Sequence, residues 1–214
     1  MQPRPASVAL QDGLGGIPPW RVHADPHPGT ATRAHLLRTD GRTPGTCELI
    51  DGAIVEKPRN HARAYLVMEL NYHLGLVTHA TDCGYLAGPG NWVGLGPDLV
   101  RAPDLAYYPW APGEPKRVPP DAIGDDPPAL AVDFLVPDMT PAELARKRAE
   151  YFRGGVWVAW VIDHHRRAAD VYTAAGVTMS VDESGALDGG DVLPGFRVAL
   201  AELFARLAAV IHAD

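Results

Sequence analysis

The clearest pattern begins at Cys47. Two apolar pairs, Leu49-Ile50 and Ile54-Val55, flank Asp51-Gly52, and Asp-Gly between short apolar runs predicts a β-hairpin. From His61 to Val77 the apolar positions Leu66, Leu70, Leu74 and Val77 recur at helical spacing, which predicts a helix with one buried stripe. Gly75 weakens its end. Short strands are expected over 82–87, 91–95 and 104–108, and a long surface loop between Trp110 and Pro128. The run ALAVDFLV (129–136) is apolar except for Asp133 and reads as a buried strand. A helix should start at Thr140 as N-cap, with Pro141 in its first turn and Glu143 completing a capping box. It should stop at Arg153-Gly154-Gly155. Strands follow over 156–163 and 169–173, joined by the turn 163–167, and two more around 177–181 and 196–198. The segment ALAELFARLAAVI (199–211) predicts a closing amphipathic helix. Strands mixed with helices of this length indicate an α/β fold.

Upstream of the hairpin the pattern dissolves. GLGGIPPWRVHADPHPGT (13–30) is too dense in Gly and Pro for a long helix or a central strand. Residues 1–45 are therefore expected to form an irregular arm, pinned to the core through Trp20 and Val22, with one folded domain over 46–214. The length of 214 residues suits that division.

Charge and cysteine content remove several function classes. The formal charge is −7, which excludes a polybasic binder but leaves room for a locally basic cleft. Cys47 and Cys83 are too few for a disulfide framework and are expected to be free thiols in a reducing compartment. No apolar run reaches the ~18 residues of a membrane span, and the N-terminus lacks the apolar core of a signal peptide. A cytoplasmic protein without membrane contact is the expectation. There is no GxSxG and no HExxH motif, and His164-His165 reads as part of a solvated turn.

Two acids stand out by their surroundings. Asp104 lies in VRAPDLAYY and Asp133 interrupts an apolar strand. A buried carboxylate is costly unless paired or bound to metal. Each is compatible with a single salt bridge or a hydrogen-bonded acid at a strand end. On neighbouring strands the two would instead be able to share one hard cation.

CELIDGAIVEKP, then VRAPDLAYY, then PALAVDFLVPDMTPAELARKRAEYFRGGVWVAWVIDHHRRAADVY, then GGDVLPGFRVALAELFA, in this order and spacing, resemble the Uma-two family of "putative restriction endonucleases" within the PD-(D/E)xK nuclease superfamily. The resemblance covers roughly Cys47 to Phe204. It implies a restriction-endonuclease-like mixed β-sheet flanked by helices. It implies a DNA endonuclease, acting on duplex, that uses Mg²⁺ with Mn²⁺ as a substitute. The family's first acid falls on Asp104 and its second on Asp133, with the backbone carbonyl of Phe134 as a further metal ligand. The lysine that the superfamily carries two residues after the second acid is replaced by Leu135. The family's helical lysine falls on Lys147, and its hairpin glutamate on Glu48. Cutting both strands calls for two sites, hence a homodimer. The competing expectations are a catalytically degenerate nuclease fold serving as a binding or interaction module, and hydrolysis of a phosphodiester other than DNA.

Overall fold

The computed structural model describes residues 13–39, 42–43, 45–174 and 176–211. The hairpin is β1 (Cys47–Ile50) and β2 (Ala53–Glu56), paired antiparallel. Asp51 and Gly52 both have positive φ, 47° and 71°, the conformation that a two-residue hairpin turn requires. A Cβ on Gly52 would meet the backbone of Gly29 at 2.7 Å. That close approach lets the Gly52 carbonyl accept from Gly29 and Ala31, which ties the arm to the turn.

The chain continues through a long helix of 21 residues (His61–Thr81), β3 (Gly84–Ala87), β4 (Trp92–Gly96), β5 (Leu99–Arg101), β6 (Leu105–Pro109), β7 (Ile123–Gly124) and β8 (Leu130–Phe134). A 13-residue helix (Pro141–Arg153) follows, then β9 (Val158–Asp163), β10 (Ala168–Thr173), β11 (Gly176–Val181), β12 (Ala186–Asp188), β13 (Arg197–Ala199) and the last helix (Leu200–Ile211). With a short helix at Arg33–Leu37, these four helices are numbered α1 to α4 in chain order.

The strands form two main sheets. The smaller runs β2-β1-β5-β4-β7 and the larger β11-β10-β9-β8-β6-β3; β12 and β13 pair separately. The large sheet is mixed: β8 pairs antiparallel with β6 and parallel with β9. One of its faces is covered by α2 and α4. There Leu66, Leu70 and Leu74 of α2 and Leu203 and Phe204 of α4 join Leu130, Val132 and Phe134 of β8 in the main core. Side chains alternate across a strand, so Ala131 and Asp133 face the other way. Ala131 packs there with Tyr151 of α3 and Ala159 of β9. The alternation explains how an acid sits in an apolar strand: the face it uses is the one α3 covers.

Several sequence expectations change. α2 runs through Gly75 to Thr81, because the packed stripe outweighs a glycine cost of about 1 kcal/mol. The loop after Trp110 contains β7, which adds a short parallel edge to β4. Thr140 caps α3 by accepting from the Glu143 amide at 3.0 Å, but the Glu143 carboxylate does not close a capping box. It makes a bidentate pair with Arg21 at 2.8 and 2.7 Å. In the arm, the described residues include a three-residue 3-10 helix (Pro19–Arg21), a bridge from Val22 to Val55, and α1. Residues 1–12 lie outside the described residues. Leu14 and Ile17, rather than Trp20, anchor the arm: they pack on Ile50, Ala53 and Val55, whereas Trp20 is 76% exposed. Cys47 is buried and Cys83 half-buried, and both are free.

Candidate functional site

The two acids lie at the seam between the sheets. Only Ala102 and Pro103 separate Arg101, the end of β5 in the small sheet, from Asp104, which precedes β6 in the large one. The Asp104 amide donates to the Val132 carbonyl at 2.8 Å, and Leu105 pairs with Val132. Asp104 thus stands beside Asp133. One ammonium, Lys57 Nζ, contacts Asp104 Oδ1 at 2.7 Å and Asp133 Oδ1 at 3.1 Å. The carboxylates therefore lie within the ~6 Å that sharing a single hard cation requires.

α3 delivers the next group. Its buried positions are Glu143, Leu144, Lys147, Glu150 and Tyr151, a stripe at helical spacing in which three of five residues are charged. Lys147, 2% exposed, places Nζ 2.7 Å from Asp133 Oδ1 and 3.0 Å from Glu48 Oε1. Tyr151 donates to Asp133 Oδ2 at 2.8 Å. Glu48 projects from β1 on the face away from Cys47 and Leu49, accepting from the Ala102 amide at 2.9 Å and pairing with Arg101 at 2.7 Å. Arg101, fully buried, also binds Glu150. All four site residues expected from sequence, Glu48, Asp104, Asp133 and Lys147, are thus gathered into one buried cluster. At Phe134 the described contact is through the amide, which donates to Asp104 Oδ2 at 2.9 Å.

A model of the Uma2 family, described as "Putative restriction endonuclease", matches residues 34–201. The chain belongs to the Uma2 family. Among solved structures, this Uma2 chain is similar to a putative nuclease belonging to DUF820 from Anabaena variabilis ATCC 29413. The identity is 18% and the TM-score 0.66, over 80% of this chain and 98% of the other. At that identity the likeness is one of fold: α/β, restriction-endonuclease-like. A comparison with curated proteins gave no match. Among the described residues of the Uma2 chain, no helix is long and apolar enough to cross a membrane.

Two basic residues of this Uma2 site were not expected. Lys57, 5% exposed, follows β2 directly; besides the two acids it donates to the Ala102 carbonyl at 2.5 Å. Arg63, in the first turn of α2, makes a bidentate pair with Asp104 through Nε at 3.0 Å and Nη2 at 2.6 Å. Its other terminal nitrogen donates to the Pro58 carbonyl. The sequence signal for Lys57 is its place in CELIDGAIVEKP, a segment that carries the family resemblance but assigns this lysine no role.

The charges control one another. Burial alone would raise the Glu48 carboxyl, but Lys147, Arg101 and Lys57 outweigh it and hold the acid well below its ordinary range. For Asp104 burial is likewise outweighed, by Lys57 and Arg63, and the carboxyl is held low. Burial would lower the Lys147 ammonium; Asp133 and Glu48 reverse that and hold it above its ordinary value. Tyr151 is pushed far up by burial and by Asp133, so its hydroxyl stays protonated and remains a donor.

The donor chemistry suits a hard divalent cation: two carboxylates and the Ala102 carbonyl, all oxygen, surround one point. No cluster of three or more His, Cys, Asp or Glu in metal-holding arrangement occurs among the described residues. A cation held here would rest on Asp104 and Asp133, with backbone carbonyl and water oxygens completing its shell.

Beside Lys57 opens a cavity of about 530 Å³ lined by Lys57, Arg63, Arg59, Thr43, Thr46 and Trp92. A second cavity shares Arg59 and Arg63 and continues along His61 and Pro89. Together they present Lys57, Arg59 and Arg63, two of which contact the acids, on a chain that is acidic overall.

Proposed function

We propose that this chain is a divalent-metal-dependent endonuclease that hydrolyses phosphodiester bonds in duplex DNA, with Mg²⁺ as cofactor and Mn²⁺ as substitute. The convergence of Asp104, Asp133 and Lys147 on one buried point, which Lys57 and Arg63 connect to a basic cavity, carries this reading. Phosphodiester hydrolysis needs a water in line with the leaving oxygen, and neutralisation of the phosphate's growing charge. A bound divalent cation supplies the neutralisation and acidifies the water. Asp104 and Asp133 hold the cation; Arg63 and Tyr151 fix the orientation of these two acids. The Lys147 ammonium, anchored between Asp133 and Glu48, stabilises charge in the transition state or orients the water. Arg59 and Arg63 meet the DNA backbone.

One observation favours a second reading, a degenerate member acting as an interaction module. Every oxygen of Asp104 and Asp133 already accepts from a protein donor. Plasmid cleavage across Mg²⁺, Mn²⁺, Ca²⁺ and chelator separates the two. The endonuclease nicks or linearises plasmid with Mg²⁺ or Mn²⁺ and not in chelator, and Asp104→Asn and Asp133→Asn lose metal binding and cleavage together. No cleavage and no metal affinity leaves the interaction module. Competition by short duplex against free nucleotides tests the substrate class, and light scattering with and without DNA tests the homodimer.

A further inference from the structure

The ammonium of Lys57 has three protons, and the structure gives each an oxygen: Ala102 carbonyl at 2.5 Å, Asp104 Oδ1 at 2.7 Å and Asp133 Oδ1 at 3.1 Å. These are the same hard oxygens that suit a divalent cation. The side chain is buried, yet it also lines the cavity of about 530 Å³ beside the site. Lys147 also contacts Asp133 Oδ1, at 2.7 Å, and the Ala102 carbonyl, at 3.4 Å, but it is fastened in addition by Glu48 and lines none of the described cavities.

We infer that Lys57 is the resident cation of the metal-free site, and that it competes with a divalent metal for Asp104, Asp133 and the Ala102 carbonyl. The inference rests on the metal-dependent reading above and adds to it a residue and a ligand. Lys147 on Asp133 and Arg63 on Asp104 already share these oxygens with Lys57, but a metal at ~2.0–2.1 Å from all three oxygens would overlap the position that the Lys57 ammonium fills. Either the lysine or the metal occupies it. A lysine is suited to the exchange: its charge rides on a flexible four-carbon stem, and the adjoining cavity gives that stem somewhere to go. Once displaced, the ammonium lies beside Arg59 and Arg63, on the side from which a phosphate approaches. One side chain then neutralises the acids when metal is absent and faces the substrate when metal is present. In the metal-free protein the lysine thereby adds to the compensation that Arg63 gives Asp104 and Lys147 gives Asp133.

The test is Mn²⁺ titration by calorimetry on the full chain and on Lys57→Gln. The variant should bind Mn²⁺ at least about tenfold more tightly than the parent, since no ammonium has to leave. Its thermal midpoint should be lower without metal and rise further on adding Mn²⁺. Equal or weaker binding by the variant overturns the competition and leaves the metal-dependent reading standing. Absence of Mn²⁺ binding by both proteins overturns the two together. Should Lys57→Gln fail to fold, the parent protein labelled with ¹⁵N at the lysine ammonium gives an independent reading. A protected ammonium signal in the metal-free protein should vanish on saturation with Mg²⁺. Its survival at saturating Mg²⁺ overturns the inference.

Discussion

At the scale of single residues, the site is a balance of charges that must be disturbed selectively. Lys147→Met removes one cation that Asp133 and Glu48 share. Breaking a buried ion pair from one side costs about 3–5 kcal/mol, so the variant should melt earlier. Its metal affinity should stay level or rise slightly with the loss of a nearby positive charge. Single-turnover cleavage, measured where the variant is fully folded, should fall by at least ~100-fold, as when one transition-state donor is lost. Wild-type cleavage by Lys147→Met would make the lysine purely structural. The same balance sets the acid limit of stability. Glu48 and Asp104 are held below their ordinary values of 4.5 and 3.8. Their contribution to stability is therefore complete above those values and is lost as pH falls below them toward the folded-state values. Lys147, held above its ordinary 10.5, acts in the opposite sense: its contribution is complete below that pH and is lost only above it. Urea midpoints measured down from pH 6 should stay nearly flat until about pH 4.5 and then drop steeply.

At the scale of elements, α3 shows what a sequence reveals and what it conceals. Its start at Thr140, its basic end and the strands on either side were legible, because capping residues and apolar runs are local signals. Its buried face was not. Hydrophobic periodicity puts Arg148 near the middle of the apolar stripe and Lys147 at its edge. The fold instead buries Lys147 and stacks Arg148 over the Tyr172 ring at 4.1 Å, because the buried stripe is mostly ionic. The pairing of Asp104 with Asp133 followed from their apolar context and from the family resemblance. Lys57 did not, since its acidic partners lie 47 and 76 residues away and a single lysine after a hairpin carries no periodic signal. β5, β7 and β12 were missed because runs of two and three residues are too short to show alternation. Arg148→Met provides the contrast to Lys147: it should lower stability or DNA affinity while leaving metal-saturated turnover largely intact.

At the scale of the whole molecule, the charge of −7 opposes DNA, and the basic groove must overcome it locally. Arg59, exposed on the groove wall where two cavities meet, is suited to a phosphate. Arg59→Ala should weaken DNA binding similarly for all sequences and reduce the slope of log affinity against log salt by about 1; fluorescence anisotropy across a salt series measures both. The seam between the sheets also bears on how the chain reaches this state. Arg101 joins Glu48 of β1 to Glu150 of α3, partners 53 and 49 residues distant, so its contacts exist only after the small sheet has formed and α3 has docked on it. Long-range contacts of that kind are the last to form, because loop closure must come first. Arg101→Met should then speed unfolding in proportion to the stability it loses and leave the refolding rate nearly unchanged, as stopped-flow denaturant jumps would record. The ion network would thus act as a lock on an assembled molecule, governing how long the native state lasts and not how quickly it is found.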